Sequence, residues 1–438
     1  MKDLPERGDT LYLERTGEPL QVGERVGEGG QGVVHRALMR TGAPLAVKWY
    51  RATTDTPSQR TAITALAAGR TPHEAFLFPL DTVVGNNLAG FGYAMPWLDD
   101  RFIPFATMLN DPRPPGLRTK ARIGRKLAEA FASLHASGRC YRDINFSNLC
   151  VDPTRGDVAI IDNDNVGLDD GHAAVWGVPR FMAPEVIRRE AKPSTATDLH
   201  SLAVLLFYLL MHGHPLEGVR VDSAYTWEDG RRRDETELAT LAYGTDPLFI
   251  FDPKSDENRP AEMAGAASWW PLYPTYLHDL FTRAFTSGLR DASLSGRIVA
   301  STWREALAQM GDLVHVCPAC NAALIFDPDD ADRPCWKCHK VPARRPLLRL
   351  RGGRHSVLLV PGASLASNYV TGDRDYDTPV GLVETHERAG LVLRNRSRSA
   401  WLAAPADGEP RPVDPGQAYA IRPGRLTFGT VRGEVLVP

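Results

Sequence analysis

The sequence predicts an α+β protein that folds as three consecutive parts. At 438 residues the chain is long enough for two or three domains, each with a core of its own. Residues 1–312 mix strand-like and helix-like runs, and residues 313–343 hold two C-x-x-C pairs. From 344 to 438 the pattern changes to alternating apolar residues and Pro-Gly or Asp-Gly turns, which is typical of a β-sandwich.

The composition gives no support for nucleic acids or anionic membranes as main partners, because the formal net charge is only −2. The longest apolar run, 202–211, has ten residues and is too short to span a bilayer. The first residues lack the apolar core of a signal peptide. We therefore expect a cytoplasmic protein that binds neither nucleic acid nor membrane.

A glycine-rich run lies early in the first part, between two strand-like runs. Residues 27–34 match G-x-G-x-x-G-x-V at every specified position. Glycines let a hairpin turn tightly and bring backbone N–H groups onto phosphates. Because a strand and not a helix follows, the pattern argues against a dinucleotide-binding unit. Residues 46–48, Ala-Val-Lys, indicate a third strand that ends in Lys48, which we predict to contact phosphates.

The residues best suited to chemistry lie between 140 and 164. Asp143 follows Tyr-Arg and precedes Asn148 by five residues, which matches H-R-D-x-x-x-x-N with Tyr in place of His. Asp162 follows an apolar run fourteen residues after Asn148. Phosphoryl transfer needs a carboxylate to accept the hydroxyl proton, with an amide oxygen and a second carboxylate to hold Mg²⁺ on the phosphates.

Taken in order, these features resemble the eukaryotic-type (Hanks-type) Ser/Thr protein kinases, including their bacterial branch. Ala-Pro-Glu at 183–185, Asp198 at a helix start and Arg297 before a later helix extend the series. The resemblance implies a bilobal fold, with a β-rich N-lobe over about 8–98, a helical C-lobe over about 99–312, and ATP in the cleft. It also implies that Asp198 holds the catalytic-loop backbone and that Arg297 pairs with Glu185.

The resemblance further implies roles for individual residues in transfer of the ATP γ-phosphate to Ser/Thr hydroxyls of a protein substrate. Asp143 becomes the base, Asn148 and Asp162 the Mg²⁺ (or Mn²⁺) ligands, and Lys48 the phosphate clamp. The predicted ATP-binding residues are Gly27, Gly29, Gly32, Val34, Ala46, Lys48, Met95 and Trp97.

The sequence departs from the kinase pattern near Lys48. The predicted helix over 56–69 contains no glutamate to pair with the lysine, and Gln59 is the nearest polar candidate. Either another carboxylate substitutes or the lysine is held differently. The D-F-G position reads Asp-Asn-Asp, so the apolar packing switch is absent, and Asp164 is either a second metal ligand or a hydrogen-bonded turn residue.

Further departures concern substrate selection and control. Asn145 replaces the usual lysine two residues after the base, and Val178 replaces a threonine. Residues 163–184 contain no Ser, Thr or Tyr, so phosphorylation of the activation loop cannot add charge there. A pseudokinase scaffold that signals through its tail, and phosphoryl transfer to a small molecule, therefore remain alternatives. Residues 218–260 are expected to be a solvated inserted loop of the C-lobe.

Four cysteines predict a structural zinc site. Cys317 and Cys320 form one C-x-x-C pair, Cys335 and Cys338 form the other, and fourteen residues separate the pairs. Each C-x-x-C turn aims two thiolates inward, and two turns complete a tetrahedron around Zn²⁺. Because all four positions are filled, we predict a structural zinc ribbon and not a catalytic metal. A redox pair is the alternative.

The C-terminal part loosely resembles a forkhead-associated (FHA) domain in the runs at 390–397 and 421–429. The Gly-Arg and Ser-x-x-His motifs of the FHA family are not recognisable, and Gly372 is followed by Asp373. We expect a degenerate FHA-like β-sandwich that binds protein, with phosphopeptide binding as the alternative. The order kinase, zinc ribbon, FHA-like domain resembles bacterial regulatory kinases that work beside a PP2C-type phosphatase and a von Willebrand A partner.

Overall fold

The computed structural model describes residues 2–51, 54, 56–169, 176–224, 234–260 and 265–438. Within these ranges no helix combines the length and the apolarity that a membrane crossing requires.

The N-terminal lobe is a closed barrel of antiparallel strands in the order β1-β2-β3-β4-β6-β5. Its strands are β1 (Thr10–Leu13), β2 (Pro19–Glu28), β3 (Gly32–Met39), β4 (Pro44–Tyr50), β5 (Asp81–Val84) and β6 (Gly92–Pro96). The helix α1 (Pro57–Ala68) connects β4 to β5. It begins where the Thr56 side chain accepts a hydrogen bond from Gln59 N, with a proline in the first turn.

Lys48 lies inside a strand and not at its end, which corrects the prediction. The strand β4 is the fourth in the chain and continues to Tyr50. Side chains two apart on a strand share a face. Tyr50 and Lys48 therefore point to the same side of the barrel, a relation that the active-site geometry uses.

The C-terminal lobe is mainly helical. Its helices are α2 (Phe105–Leu109), α3 (Leu117–Ala136), α4 (Pro184–Ile187), α5 (Thr195–Met211), α6 (Val219–Ala224), α7 (Glu235–Ala239), α8 (Gly265–Trp269), α9 (Thr275–Phe285), α10 (Ser287–Arg290) and α11 (Ala300–Leu313). Its short strands are β7 (Ile103–Pro104), β8 (Arg139–Cys140), β9 (Leu149–Val151), β10 (Val158–Ile160) and β11 (Gly167–Leu168). The helix α5 is buried on every side from Thr197 onward, so it forms the centre of this lobe.

The stretch 218–260 is not simply a solvated loop, which corrects that expectation. Its described residues form α6, α7 and a π-helical turn at Thr240–Thr245. Leu238, Phe249 and Ile250 are buried in the core of the C-lobe. These apolar side chains hold the stretch against the lobe. Residues 225–233, with their run of three arginines, lie outside the described residues.

The cysteine-rich part follows α11 without a linker. Its strands β12 (Val314–Val316) and β13 (Ala323–Ile325) form a two-stranded sheet. The strands of the last part are β14 (Leu347–Leu350), β15 (His355–Leu358), β16 (Ser364–Ala366), β17 (Pro379–His386), β18 (Gly390–Asn395), β19 (Trp401–Pro405), β20 (Arg411–Val413), β21 (Ala418–Ala420), β22 (Gly424–Phe428) and β23 (Val431–Leu436), with the helix α12 (Ser367–Thr371) after β16.

These last strands form two antiparallel sheets that share one apolar core. The six-stranded sheet has the order β15-β14-β23-β22-β19-β20, and the four-stranded sheet has the order β16-β17-β18-β21. Leu348 and Phe428 from the first sheet and Val383 and Leu393 from the second belong to the same buried cluster. The arrangement is compatible with the predicted β-sandwich.

The last part also contacts the C-lobe directly. On α11, the Asp312 carboxylate accepts hydrogen bonds from His355 Nε2 (2.9 Å) and from the Tyr369 hydroxyl (2.6 Å). On α3, Arg125 donates to Asp377 at 2.6 Å. These bonds are long-range in sequence, and they attach the strand-rich part to the two helices that pack together in the C-lobe.

Candidate active site

A cavity of about 650 Å³ lies between the barrel and the C-lobe. All the predicted ATP-binding residues line it, and so do the predicted metal ligands Asn148 and Asp162. Asp143 does not line the cavity, but it contacts Asn148 at the edge. The structure therefore brings the sequence-predicted residues together around one cleft.

Several residues that line this cleft were not among the predicted ATP-binding residues and metal ligands. They are Val26, Glu28, Gly30, Gln31, Leu77, Pro96, Leu98, Phe102, Ser147 and Ile161. Some of them could have been predicted from the motifs, because Gln31 is part of the glycine run and Ile161 directly precedes Asp162. Leu77 carried no such signal, since it follows α1 in a segment without any motif.

The glycine run forms the hairpin between β2 and β3 that covers the cleft. Gly29 N donates to Gly32 O at 2.9 Å and closes the turn. A Cβ at Gly32 would lie 2.0 Å from the Trp49 carbonyl oxygen, so only glycine lets β3 approach β4 so closely here. Gln31, in the same turn, accepts a hydrogen bond from Lys48 Nζ at 3.0 Å, so the hairpin contacts Lys48.

The Lys48 ammonium is held by carboxylates of the Asp-Asn-Asp turn. Lys48 Nζ lies 2.7 Å from Asp164 Oδ2 and also contacts Asp162 Oδ1. It donates to Gln31 Oε1 at 3.0 Å as well. Burial alone lowers the pKa of Lys48, but the negative charges of Asp164 and Asp162 outweigh it and raise that pKa above its usual value. The lysine is therefore charged at neutral pH.

The two aspartates of this turn face different surroundings. Asp162, with a left-handed φ of 59°, keeps 32% of its side chain exposed toward the cleft, whereas the Asp164 side chain is fully buried. Burial and the neighbouring Asp164 carboxylate raise the pKa of Asp162, against the opposing effect of Lys48. Between them, Asn163 is buried and donates to Ile160 O at 2.8 Å, in place of an apolar side chain.

Two amides fix the carboxylate of Asp143. Asn145 Nδ2 donates to its Oδ1 at 2.9 Å, and Asn148 Nδ2 donates to its Oδ2 at 3.1 Å. Burial raises the pKa of Asp143, while these two hydrogen bonds act to lower it. Asn145 thus contacts the predicted base through a neutral amide, where a lysine would bring a positive charge.

A residue of α5, Asp198, holds the backbone of the loop that precedes Asp143. Asp198 Oδ2 accepts from Tyr141 N at 2.6 Å, and its Oδ1 accepts from Arg142 N at 2.8 Å. Arg142 has a φ of 75°, a conformation that side-chain-bearing residues rarely adopt. The carboxylate therefore fixes a strained backbone immediately before Asp143, and the predicted contact of Asp198 with this loop is confirmed.

Below the cleft, Arg297 and Glu185 form a buried pair. Arg297 Nη2 lies 2.6 and 2.8 Å from the two carboxylate oxygens, and both side chains are almost fully buried. The predicted pairing is confirmed. Val178 is exposed beside the loop, and residues 170–175 of the activation segment lie outside the described residues.

The four predicted zinc ligands form one cluster. Their sulfur atoms all lie within 4.8 Å of one another, with Cys317–Cys338 at 3.7 Å and Cys320–Cys335 at 3.6 Å. A Zn–S bond of about 2.3 Å places neighbouring sulfurs of a tetrahedron about 3.8 Å apart. Four thiol groups at this spacing fit a Zn²⁺ ion.

The two C-x-x-C turns have the same local geometry. Asn321 N donates to Cys317 O at 2.9 Å, and His339 N donates to Cys335 O at 2.8 Å. Asn321 and His339 both have positive φ, at 59° and 58°. His339 therefore ends the second turn as Asn321 ends the first.

Comparison with known proteins agrees with the geometry of the cleft. Residues 106–242 match the family model described as protein kinase domain. The matched range includes the loop with Asp143, Asn148 and Asp162, and it excludes the glycine hairpin and Lys48. This match supports a Hanks-type protein kinase domain of α+β class. The two-lobed fold supports it as well, as does the position of the motif residues around the cleft.

Several relatives of this chain are bacterial protein kinases, and two of them are named as serine/threonine-protein kinases. The serine/threonine-protein kinase PkaB of Streptomyces coelicolor is 25% identical over 430 residues, which cover 92% of this chain and 88% of that protein. The serine/threonine-protein kinase AfsK of the same organism is 28% identical over 214 residues, or 45% of this chain. The protein kinase YegI of Escherichia coli is 27% identical over 207 residues, or 44% of this chain and 29% of that protein. This chain spans only a quarter of the length of AfsK.

Proposed function

We propose that this chain is an ATP-dependent Ser/Thr-type protein kinase. The observation that carries the proposal is the convergence of Lys48, Asn148 and Asp162 on one cleft beneath a glycine hairpin, with Asp143 at its edge. The kinase-domain match and the Ser/Thr kinases among the relatives support it.

The cleft suits a nucleoside triphosphate. Its volume of about 650 Å³ lies within the range of small-molecule sites, roughly 300–1,000 Å³. Val34, Ala46 and Met95 give it an apolar wall for the base, while Lys48 brings a positive charge to the other end. In the proposal, backbone N–H groups of the hairpin and the Lys48 ammonium hold the triphosphate.

The remaining roles follow from the chemistry of each side chain. Asn148 and Asp162 provide an amide oxygen and a carboxylate, which are suitable ligands for Mg²⁺ or Mn²⁺. When bound, the metal neutralises charge on the phosphates. Asp143 accepts the proton of the incoming hydroxyl, and the amides of Asn145 and Asn148 hold its carboxylate in one orientation.

For the tail, we propose a structural zinc ribbon over 313–343 and an FHA-like β-sandwich over 344–438. The spacing of the four sulfurs supports the zinc ion, and the two sheets around one core support the sandwich. We propose protein partners for this tail, a PP2C-type phosphatase and a von Willebrand A-type protein, on the domain order alone.

The proposal is tested by transfer of labelled γ-phosphate, with Mg²⁺ or Mn²⁺, to the protein itself and to a generic protein substrate. Asp143→Asn and Asp162→Ala should abolish the transfer that the wild type shows. Asp279→Ala, which changes an exposed aspartate on α9, is the matched control and should transfer normally. Binding of Mg-ATP by a wild type that transfers no phosphate would instead support the pseudokinase scaffold.

A further inference from the structure

The partner of Lys48 lies on the turn that carries Asp162. Asp164 Oδ2 is 2.7 Å from Lys48 Nζ, and the Asp164 side chain is fully buried. It also accepts a hydrogen bond from the Tyr50 hydroxyl at 2.6 Å. Because Lys48 and Tyr50 are two residues apart on β4, both donors reach the same carboxylate oxygen from one face of the strand.

The helix α1 provides no such partner. It contains neither aspartate nor glutamate, and its arginine, Arg60, contacts Glu14 at the surface. Gln59, the nearest polar candidate from the sequence, interacts with the Tyr50 hydroxyl and not with Lys48. Among the residues that the structure describes, the carboxylates in contact with Lys48 are Asp162 and Asp164.

The two carboxylates are not equivalent in their access to the cleft. Asp162 lines the cavity, whereas the Asp164 side chain is fully buried and does not line it. A metal ion on the phosphates can therefore reach Asp162 and not Asp164. If Asp162 held such an ion, Asp164 would still balance the charge of Lys48. A buried carboxylate is tolerated only when it is paired. We therefore expect Asp164 to keep its contact with Lys48 whether or not a metal ion is bound.

We propose that Asp164 is the positioning residue for Lys48, and that it replaces the carboxylate that α1 lacks. The inference rests on the proposed function, because it assigns Lys48 to the triphosphate. If this is correct, the Asp-Asn-Asp turn determines the position of the Lys48 ammonium, which holds the phosphates. The position of α1 then does not decide whether Lys48 is correctly placed.

The test is a double-mutant cycle in the full chain, with Mg-ATP affinity measured by calorimetry. Asp164→Asn keeps the shape of the side chain and removes its charge, and we expect it to weaken Mg-ATP binding roughly tenfold. In a Lys48→Met background, the same change should alter affinity by less than about twofold, because a positioning residue acts only through the group it positions. Additive losses, or Asp164→Asn binding like wild type, would overturn the inference.

Thermal stability gives a second readout that does not depend on nucleotide. Lys48→Met leaves the buried Asp164 carboxylate with the Tyr50 hydroxyl but without its positively charged partner, and it should lower the melting temperature. Adding Asp164→Asn should restore part of the loss. A double variant that melts below both single variants would contradict the pairing. The control on α1 is Gln59→Ala, which should keep Mg-ATP affinity within about twofold of wild type.

These outcomes separate the inference from the proposed function. The wild type could bind Mg-ATP but transfer no phosphate, while the Lys48 and Asp164 substitutions have non-additive effects on Mg-ATP affinity. That result would refute the kinase activity and leave the role of Asp164 supported. An active kinase with an additive cycle, or one in which Gln59→Ala weakens Mg-ATP binding as much as Asp164→Asn does, would refute the role of Asp164 alone. A wild type that binds no Mg-ATP would refute both.

Discussion

Loss of the Asp198 carboxylate should destabilise the loop that carries Asp143. Its two oxygens accept hydrogen bonds from Tyr141 N and Arg142 N, and the side chain is 2% exposed. A hydrogen bond to a charged acceptor contributes about 1.5–3 kcal/mol. Removal of both by Asp198→Ala should therefore lower the free energy of unfolding by roughly 3–6 kcal/mol.

Asp198→Asn should have about half this effect, because its amide keeps one acceptor oxygen and turns an NH₂ group toward the other backbone donor. Urea titration followed by circular dichroism measures both losses. Asp279→Ala is the matched control, since this aspartate is exposed, and it should change the free energy by no more than about 0.5 kcal/mol.

The same variants should reduce phosphate transfer more than their stability loss explains. Arg142 keeps its left-handed φ of 75° because the surrounding bonds fix it, and such strain is released when they are removed. Release would shift Asp143, the next residue. If Asp198→Ala and Asp198→Asn both unfold within about 1 kcal/mol of wild type, the reasoning from these two hydrogen bonds is refuted.

Three further predictions concern other parts of the molecule. Cys320→Ser should reduce the zinc content below one ion per chain, measured by atomic emission, and lower the melting temperature; unchanged melting of a zinc-free protein would contradict a structural role. Gly32→Ala should lower the free energy of unfolding by about 1–3 kcal/mol, since its Cβ would lie 2.0 Å from the Trp49 carbonyl oxygen. Urea titration measures the loss, and a urea midpoint equal to that of the wild type would refute the close approach. Arg297→Met should cost about 3–5 kcal/mol by leaving the buried Glu185 charged and unpaired, whereas adding Glu185→Leu should recover most of it; equal losses in the single and double variants would refute the pairing.

The sequence predicts best what is encoded in short spacings. The glycine run, the loop with Asp143 and Asn148, and the four cysteines each depend on residues a few positions apart. Such spacings fix a turn and the direction of its side chains, so the local geometry follows directly. The helix over 56–69 was also predictable to within a residue at each end, because Thr56, Pro57 and Gly69 mark its limits.

What the sequence could not provide are partners that are distant along the chain. Lys48 and Asp164 are 116 residues apart, and nothing in the local pattern links them. Asp164 was expected to be a metal ligand or a turn residue, yet its burial beside Lys48 gives it another contact. The expected solvated loop at 218–260 failed for a similar reason, because its scattered apolar residues contact a core that only the fold assembles.

Apolar packing continues across the domain boundary that the sequence predicts at residue 312. Ile325 from the cysteine-rich part, and Leu347 and Leu358 from the strand-rich part, are buried in the same apolar cluster as α3 and α11. Arg118 on α3 donates to Val314 O at 2.8 Å, just beyond the boundary. A fragment that ends at 312 would expose this apolar surface to water and leave that arginine without its acceptor. The tail therefore packs its first apolar residues against α3 and α11, while most of its strand-rich part keeps an apolar core of its own.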